Sequence, residues 1–205
     1  DVAIADLNND SCPDIVLANR EMKGSADTDS FVYFGGPDGF SPQRRAALPT
    51  KQVNAVTLAD MNGDKYADIL FANGQGTASF IYLNQGGKFD PSRKIELPSS
   101  DARDIVAADL HGDGAADVFI TNHQTANNRL TTSYLYFNDG SGNFSPAKRQ
   151  EFETVGAWGC SIADLNKDGR NDIVVSNFQE HESFEVPSYI FWNSAKGFDQ
   201  ARRTS

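Results

Sequence analysis

The chain has 205 residues, 39% of them apolar, and carries 18 Lys and Arg against 28 Asp and Glu for a formal charge of −10. That length allows one or two ordinary domains. No Lys/Arg run or basic stripe is present, which argues against nucleic acid as a partner. No apolar stretch approaches the roughly eighteen residues that a membrane span needs.

The first predicted strand covers residues 2–5 and is followed by an acidic loop, Asp6 to Asp14. A second apolar run, 15–18, ends on Asn19. A third strand is expected at 30–34, then a glycine turn and a fixed aromatic at Gly39-Phe40, then a less regular fourth strand closing at Leu48-Pro49. The same order returns three times. Acidic loops begin at Asp60, Asp109 and Asp164, between predicted strands at 56–59 and 69–72, 105–108 and 118–121, and 160–163 and 173–176. Asn73, Asn122 and Asn177 close the second runs, where they are expected to satisfy backbone groups. Third strands are expected at 79–83, 133–137 and 188–192.

The first two runs of each unit are short and nearly continuously apolar, so they read as strands buried on both faces, the first being the most buried. The fourth carries Pro and Lys/Arg, as edge strands do. A period of about fifty residues is too short for each unit to bury its own core, so the units must stack. The expected fold is all-β: a β-propeller of four-stranded antiparallel blades, with four blades bounded at 1–49, 50–98, 99–153 and 154–205. Cys12 and Cys160 do not match between repeats. They form either one bridge between the first and last repeats or, more plainly, two unpaired residues.

The loops carry the chemistry. Their first, fifth and ninth residues are all aspartate, and these twelve carboxylates outnumber the net charge, so the remainder of the chain is close to neutral. Side chains at positions one, three, five and nine, with the carbonyl at seven, would enclose a hard cation in oxygen. The candidate ligands are Asp6, Asn8, Asp10, Cys12 and Asp14; Asp60, Asn62, Asp64, Tyr66 and Asp68; Asp109, His111, Asp113, Ala115 and Asp117; and Asp164, Asn166, Asp168, Arg170 and Asp172. Cys12, Tyr66, Ala115 and Arg170 enter through their backbone carbonyls. Calcium fits this set better than magnesium, zinc or copper. An EF-hand is excluded, because Leu17, Phe71, Ile120 and Val175 stand where its bidentate Glu would be. Up to four Ca2+ are expected. The third site should be the weakest, since imidazole suits calcium poorly, unless His111 turns away and water replaces it.

These loops, with the aromatic-glycine segment Phe34-Gly35-Gly36-Pro37, resemble the FG-GAP/VCBS repeats of integrin α-chains and of some fungal and bacterial lectins. The resemblance implies calcium between the first and second strands of each blade and an extracellular setting. It also implies seven or eight blades in a complete ring, so the chain is expected to be part of a larger propeller or a half-ring completed by other blades or a second copy.

Recognition is expected on the face opposite the acidic loops. Its variable connections hold Arg20, Glu21, Lys23, Gln75, His123, Gln124, Arg129, Phe178, Glu180, His181 and Glu182. Trp158 is read as packing between blades in preference to stacking on a sugar. His123 and His181 are read as solvated loop residues in preference to a catalytic pair. The favoured function is a non-enzymatic binding or adhesion module for glycan or extracellular protein. The alternative is a segment of a secreted polysaccharide lyase, which should show a Lys/Arg/His cluster beside a cleft.

Overall fold

A computed structural model describes residues 1–21, 24–25, 27–74, 78–125, 128–178 and 183–205. The chain is all-β. β1 (Val2–Ala5), β2 (Asp14–Leu17), β3 (Asp27–Tyr33) and β4 (Arg45–Lys51) form the first antiparallel sheet. β5 (Val53–Ala59), β6 (Asp68–Asn73), β7 (Ala78–Tyr82) and β8 (Ile95–Pro98) form the second, and β9 (Ala102–Ala108), β10 (Asp117–Asn122), β11 (Leu130–Tyr136) and β12 (Gln150–Val155) the third. β13 (Ala157–Ala163), β14 (Asp172–Asn177) and β15 (Tyr189–Phe191) form the last, where a bridge from Ile190 to Thr204 stands in the fourth-strand place.

Successive sheets pack through their first strands, β1 on β5, β5 on β9 and β9 on β13. Three apolar cores result, one between each pair of neighbouring sheets. The first joins Leu7, Val16 and Leu48 to Phe71 and Tyr82; the second centres on Met61, Leu70 and Ile81 with Ile120 and Tyr136; the third on Phe119, Phe152 and Phe191. Each sheet is therefore one wall of a core that its neighbour completes.

The second strands, not the first, are the most buried. Every residue of β6 and β10 is buried, while β5 and β9 are only partly so. The first strand stands at an edge of its sheet, whereas the second has ladder partners on both sides. In β1, Val2 and Ile4 are exposed, although Val56, which aligns with Val2, is buried. The fourth strands alternate as edge strands do: β4 buries Leu48 and Thr50 and exposes Pro49 and Lys51.

The strand-ending asparagines satisfy backbone, as expected. Nδ2 of Asn19, Asn73, Asn122 and Asn177 donates to the carbonyls of Asp29, Ala78, Thr132 and Pro187 at 2.7–2.9 Å. Three of these side chains also reach the preceding sheet, accepting the amides of Lys51, Ser100 and Val155. Cys12 and Cys160 are free thiols.

Candidate functional site

Each acidic loop is wound by its own carboxylates. The first Asp accepts the amide of the sixth residue in all four loops: Ser11 on Asp6, Lys65 on Asp60, Gly114 on Asp109 and Gly169 on Asp164, at 2.8–2.9 Å. The fifth Asp accepts the amide of the seventh: Cys12 on Asp10, Tyr66 on Asp64, Ala115 on Asp113 and Arg170 on Asp168. To turn this tightly, positions four and six take positive φ, met by Asn9 and Ser11, Gly63 and Lys65, Gly112 and Gly114, and Lys167 and Gly169.

The ninth aspartates, Asp14, Asp68, Asp117 and Asp172, are fully buried. One oxygen accepts the amide of the loop's second residue, Leu7, Met61, Leu110 or Leu165. The other accepts the amide of Gly35, Asn84, Asn138 or Asn193, just beyond the third strand. An ionised carboxylate offers about four acceptor sites, so lone pairs remain for a cation. Burial, with Asp64 and Asp60 close by, pushes Asp68 up to about 6, and burial likewise raises Asp14. A cation among these groups would relieve both effects.

Asn8, Asn62 and Asn166 each accept the amide of the fifth residue and donate to its carboxylate, at 2.9–3.2 Å. Loops one, two and four thus offer an all-oxygen donor set that fits a hard cation. The third loop differs. His111 does not turn away: its Nδ1 lies 2.7 Å from Asp117 Oδ2 and its Nε2 2.9 Å from Asp113 Oδ2. The hydrogen bond to Asp117 raises the imidazole pKa. Among the described residues, Asp109, His111 and Asp117 are the group whose ligand atoms fall within 4.8 Å of one another.

Sequence reasoning missed a second set of asparagines. Asn84, Asn138 and Asn193 are buried, and each sends Nδ2 back to the preceding loop, to the carbonyl of Leu7, Met61 or Leu110 at 2.7–2.9 Å. The available signal was their recurrence just after the third strand, with Gly35 in the first repeat. A Cβ there would stand 2.2 Å from the Pro13 carbonyl oxygen. Asn171 adds a bond from the fourth loop to the Asp109 carbonyl.

At the other end of the strands, a cleft of about 700 Å³ opens between the first and second sheets, lined by Asp27, Thr28, Asp29, Lys51, Lys94 and Glu96 among others. Thr28 is buried and its Oγ1 has no hydrogen-bond partner. Lys94 pairs with Glu96 at 2.9 Å and lies 4.9 Å over the Phe80 ring. The aligned positions line a cleft of about 800 Å³ between the third and last sheets, where Arg203 lies 4.6 Å over Tyr189.

Trp158 is 48% exposed, carries Arg103 over its ring and touches Phe178, so it is neither fully packed nor an open platform. His123 is buried, not solvated. Lys23, Gln75, Glu180, His181 and Glu182 lie outside the described residues.

A family model described as FG-GAP-like repeat matches residues 6–71, 60–120 and 109–175. The chain belongs to this family. Each match starts on the first aspartate of a loop and runs past the next, so the family's unit is the loop-to-loop segment seen here. No curated protein matches the chain. Among solved structures, it is similar to an Agrocybe aegerita lectin that recognises non-reducing terminal N-acetylglucosamine, with 20% identity and a TM-score of 0.53, covering 97% of this chain and 50% of the lectin. It is also similar to the V. cholerae biofilm matrix protein Bap1, with 18% identity and a TM-score of 0.45, covering 96% of this chain and 37% of Bap1. The chain thus spans half the length of the lectin and 37% of that of Bap1. No helix among the described residues is long and apolar enough to cross a membrane.

Proposed function

We propose that the chain is a segment of a calcium-stabilised β-propeller that binds glycan, or protein, outside the cell. Each of the four sheets is then a blade, close to the boundaries read from the sequence, with β4 and β12 each running two residues past theirs. Up to four Ca2+ sit in the loops, held by the carboxylates and asparagines at positions one, three, five and nine and by the carbonyls of Cys12, Tyr66, Ala115 and Arg170. The third is the weakest, because His111 must leave two carboxylates before a cation enters. Bound calcium would supply charge neutralisation and rigidity. The protein's own part is to hold four acidic cages, three of them all-oxygen, at one end of the strands and leave the other end free for recognition.

The observation that carries the reading is the cleft between the first and second sheets, at the end away from the loops. It combines three carboxylates and two ammonium groups in a volume suited to a sugar ring. Such a lining matches a polyhydroxylated ligand, each hydroxyl both donating and accepting. The recognition named for the Agrocybe aegerita lectin supports a glycan over a protein. The test is a glycan array probed with calcium and with a chelator. Binding is expected with calcium and should be lost in Asp29→Ala. An array without signal, or one unaffected by Asp29→Ala, overturns the assignment of the cleft.

A further inference from the structure

We propose that His123 is an acid-sensitive latch for an aromatic cluster at the end of the molecule opposite the acidic loops. The cluster runs across the last two sheets. Trp158, from β13, lies 4.9 Å from the Phe178 ring, and Phe178 lies 5.4 Å from Phe184. All three rings are exposed, with Phe184 at 64%. Exposed apolar groups gathered in one patch, unlike those scattered singly, mark interaction surfaces. His123 sits beneath them, 3% exposed, edge-on to Trp158 at 5.4 Å and 6.3 Å from Phe178.

The imidazole is poorly provided for a positive charge. Its Nδ1 is sealed from solvent without a hydrogen-bond partner. The Arg103 guanidinium stacks 4.8 Å over the same Trp158 ring, and its Nε is likewise buried and unpartnered. Arg103 is tied to Asp101 at 2.9 Å, so that carboxylate is already engaged. Among the described residues the charged groups acting on the ring are Arg103 and Arg129, which oppose its protonation, and Asp101, which favours it, together with a hydrogen bond to the Gly156 backbone. β13 and β14 bring rings and backbone to this end, and the nearest titratable side chain on β13 is the Cys160 thiol.

Burial first, and Arg103 second, lower the His123 pKa. The neutral ring therefore stabilises the cluster above the ordinary histidine pKa, and that stability is lost as pH falls through the lower, folded-state value. A protonated ring beside Arg103, with nothing to accept from Nδ1, is driven toward water, and Trp158 and Phe178 part to let it out.

The test is Trp158 emission between pH 8 and 4.5 at saturating calcium, in a Trp192→Phe background that leaves one indole. A reversible red shift is expected with a midpoint below 6.5, while far-UV circular dichroism stays constant. His123→Gln, neutral throughout, should abolish the shift. A flat wild-type trace, or the same transition in His123→Gln, overturns the proposal. Because His123→Gln could itself disturb folding, histidine ring NMR of the otherwise unaltered protein gives a second reading: a His123 resonance titrating at or above 6.5 also overturns it.

Discussion

Replacing Asn138 by alanine is the sharpest test of how the repeats are joined. Its side chain is 3% exposed and makes four hydrogen bonds. Nδ2 donates to Met61 O at 2.7 Å and to Ala116 O at 3.0 Å; Oδ1 accepts the amides of Gly140 at 3.2 Å and Gly142 at 3.1 Å. A typical buried bond contributes about 1 kcal/mol net, and stranding its partner costs at least as much. Gly140 and Ala116 are partly exposed and can recover water, whereas the Met61 carbonyl and the Gly142 amide are buried and cannot. The expected loss is about 3 kcal/mol in urea unfolding at fixed calcium. Asn138→Asp should lose as much. It keeps the oxygen that accepts the two glycine amides but sets a second oxygen against two carbonyl oxygens. A loss below about 1 kcal/mol in both variants would refute the idea that this side chain joins the second and third sheets.

Chelation should lower the melting temperature by several degrees, since one cation at a hundred times its dissociation constant stabilises the folded state by about 2.7 kcal/mol; unchanged calorimetry in excess chelator would count against calcium in the loops. Asp168→Ala should shrink the calcium-dependent part of that melting temperature more than His111→Ala, because the fourth loop has an all-oxygen donor set and the third is already partly neutralised by its imidazole. Equal effects in parallel scans would contradict the ranking. Lys65→Gly should stabilise by about 1 kcal/mol, as Lys65 sits at φ 72° in the left-handed region, where a Cβ is strained; a loss in the same urea assay would show that the lysine side chain contributes something this reasoning omits.

The repeat, its strand order and the acidic loops were legible because each is written in local sequence. The alternation of apolar runs with Asp-rich loops fixes where strands end, and the recurring Asn after the second run marks its own hydrogen bonds. Burial order was not legible in the same way. The first strand is as apolar as the second, and only the sheet order reveals that β5 and β9 have one ladder partner where β6 and β10 have two. Asn84, Asn138 and Asn193 escaped notice because their partners lie one repeat back, and nothing local distinguishes such an asparagine from one in an ordinary turn. For His111 the sequence left two outcomes open, a poor ligand in the loop or a ring turned away, and the structure shows the first. The ring stands between two carboxylates, 2.7 Å from Asp117 and 2.9 Å from Asp113, and these contacts hold it in. His123 was misread: a histidine in a polar connection reads as solvated until the tertiary packing puts two rings over it.

The three cores lie between sheets and not within them, so no sheet is self-sufficient. Within this chain the two inner sheets are clamped from both sides, whereas the first and last each meet one neighbour. Amide exchange of this chain by itself should therefore be graded, slowest in β6 and β10 and fastest in β1 and β15. Fraying begins at the flanks, and the centre yields last.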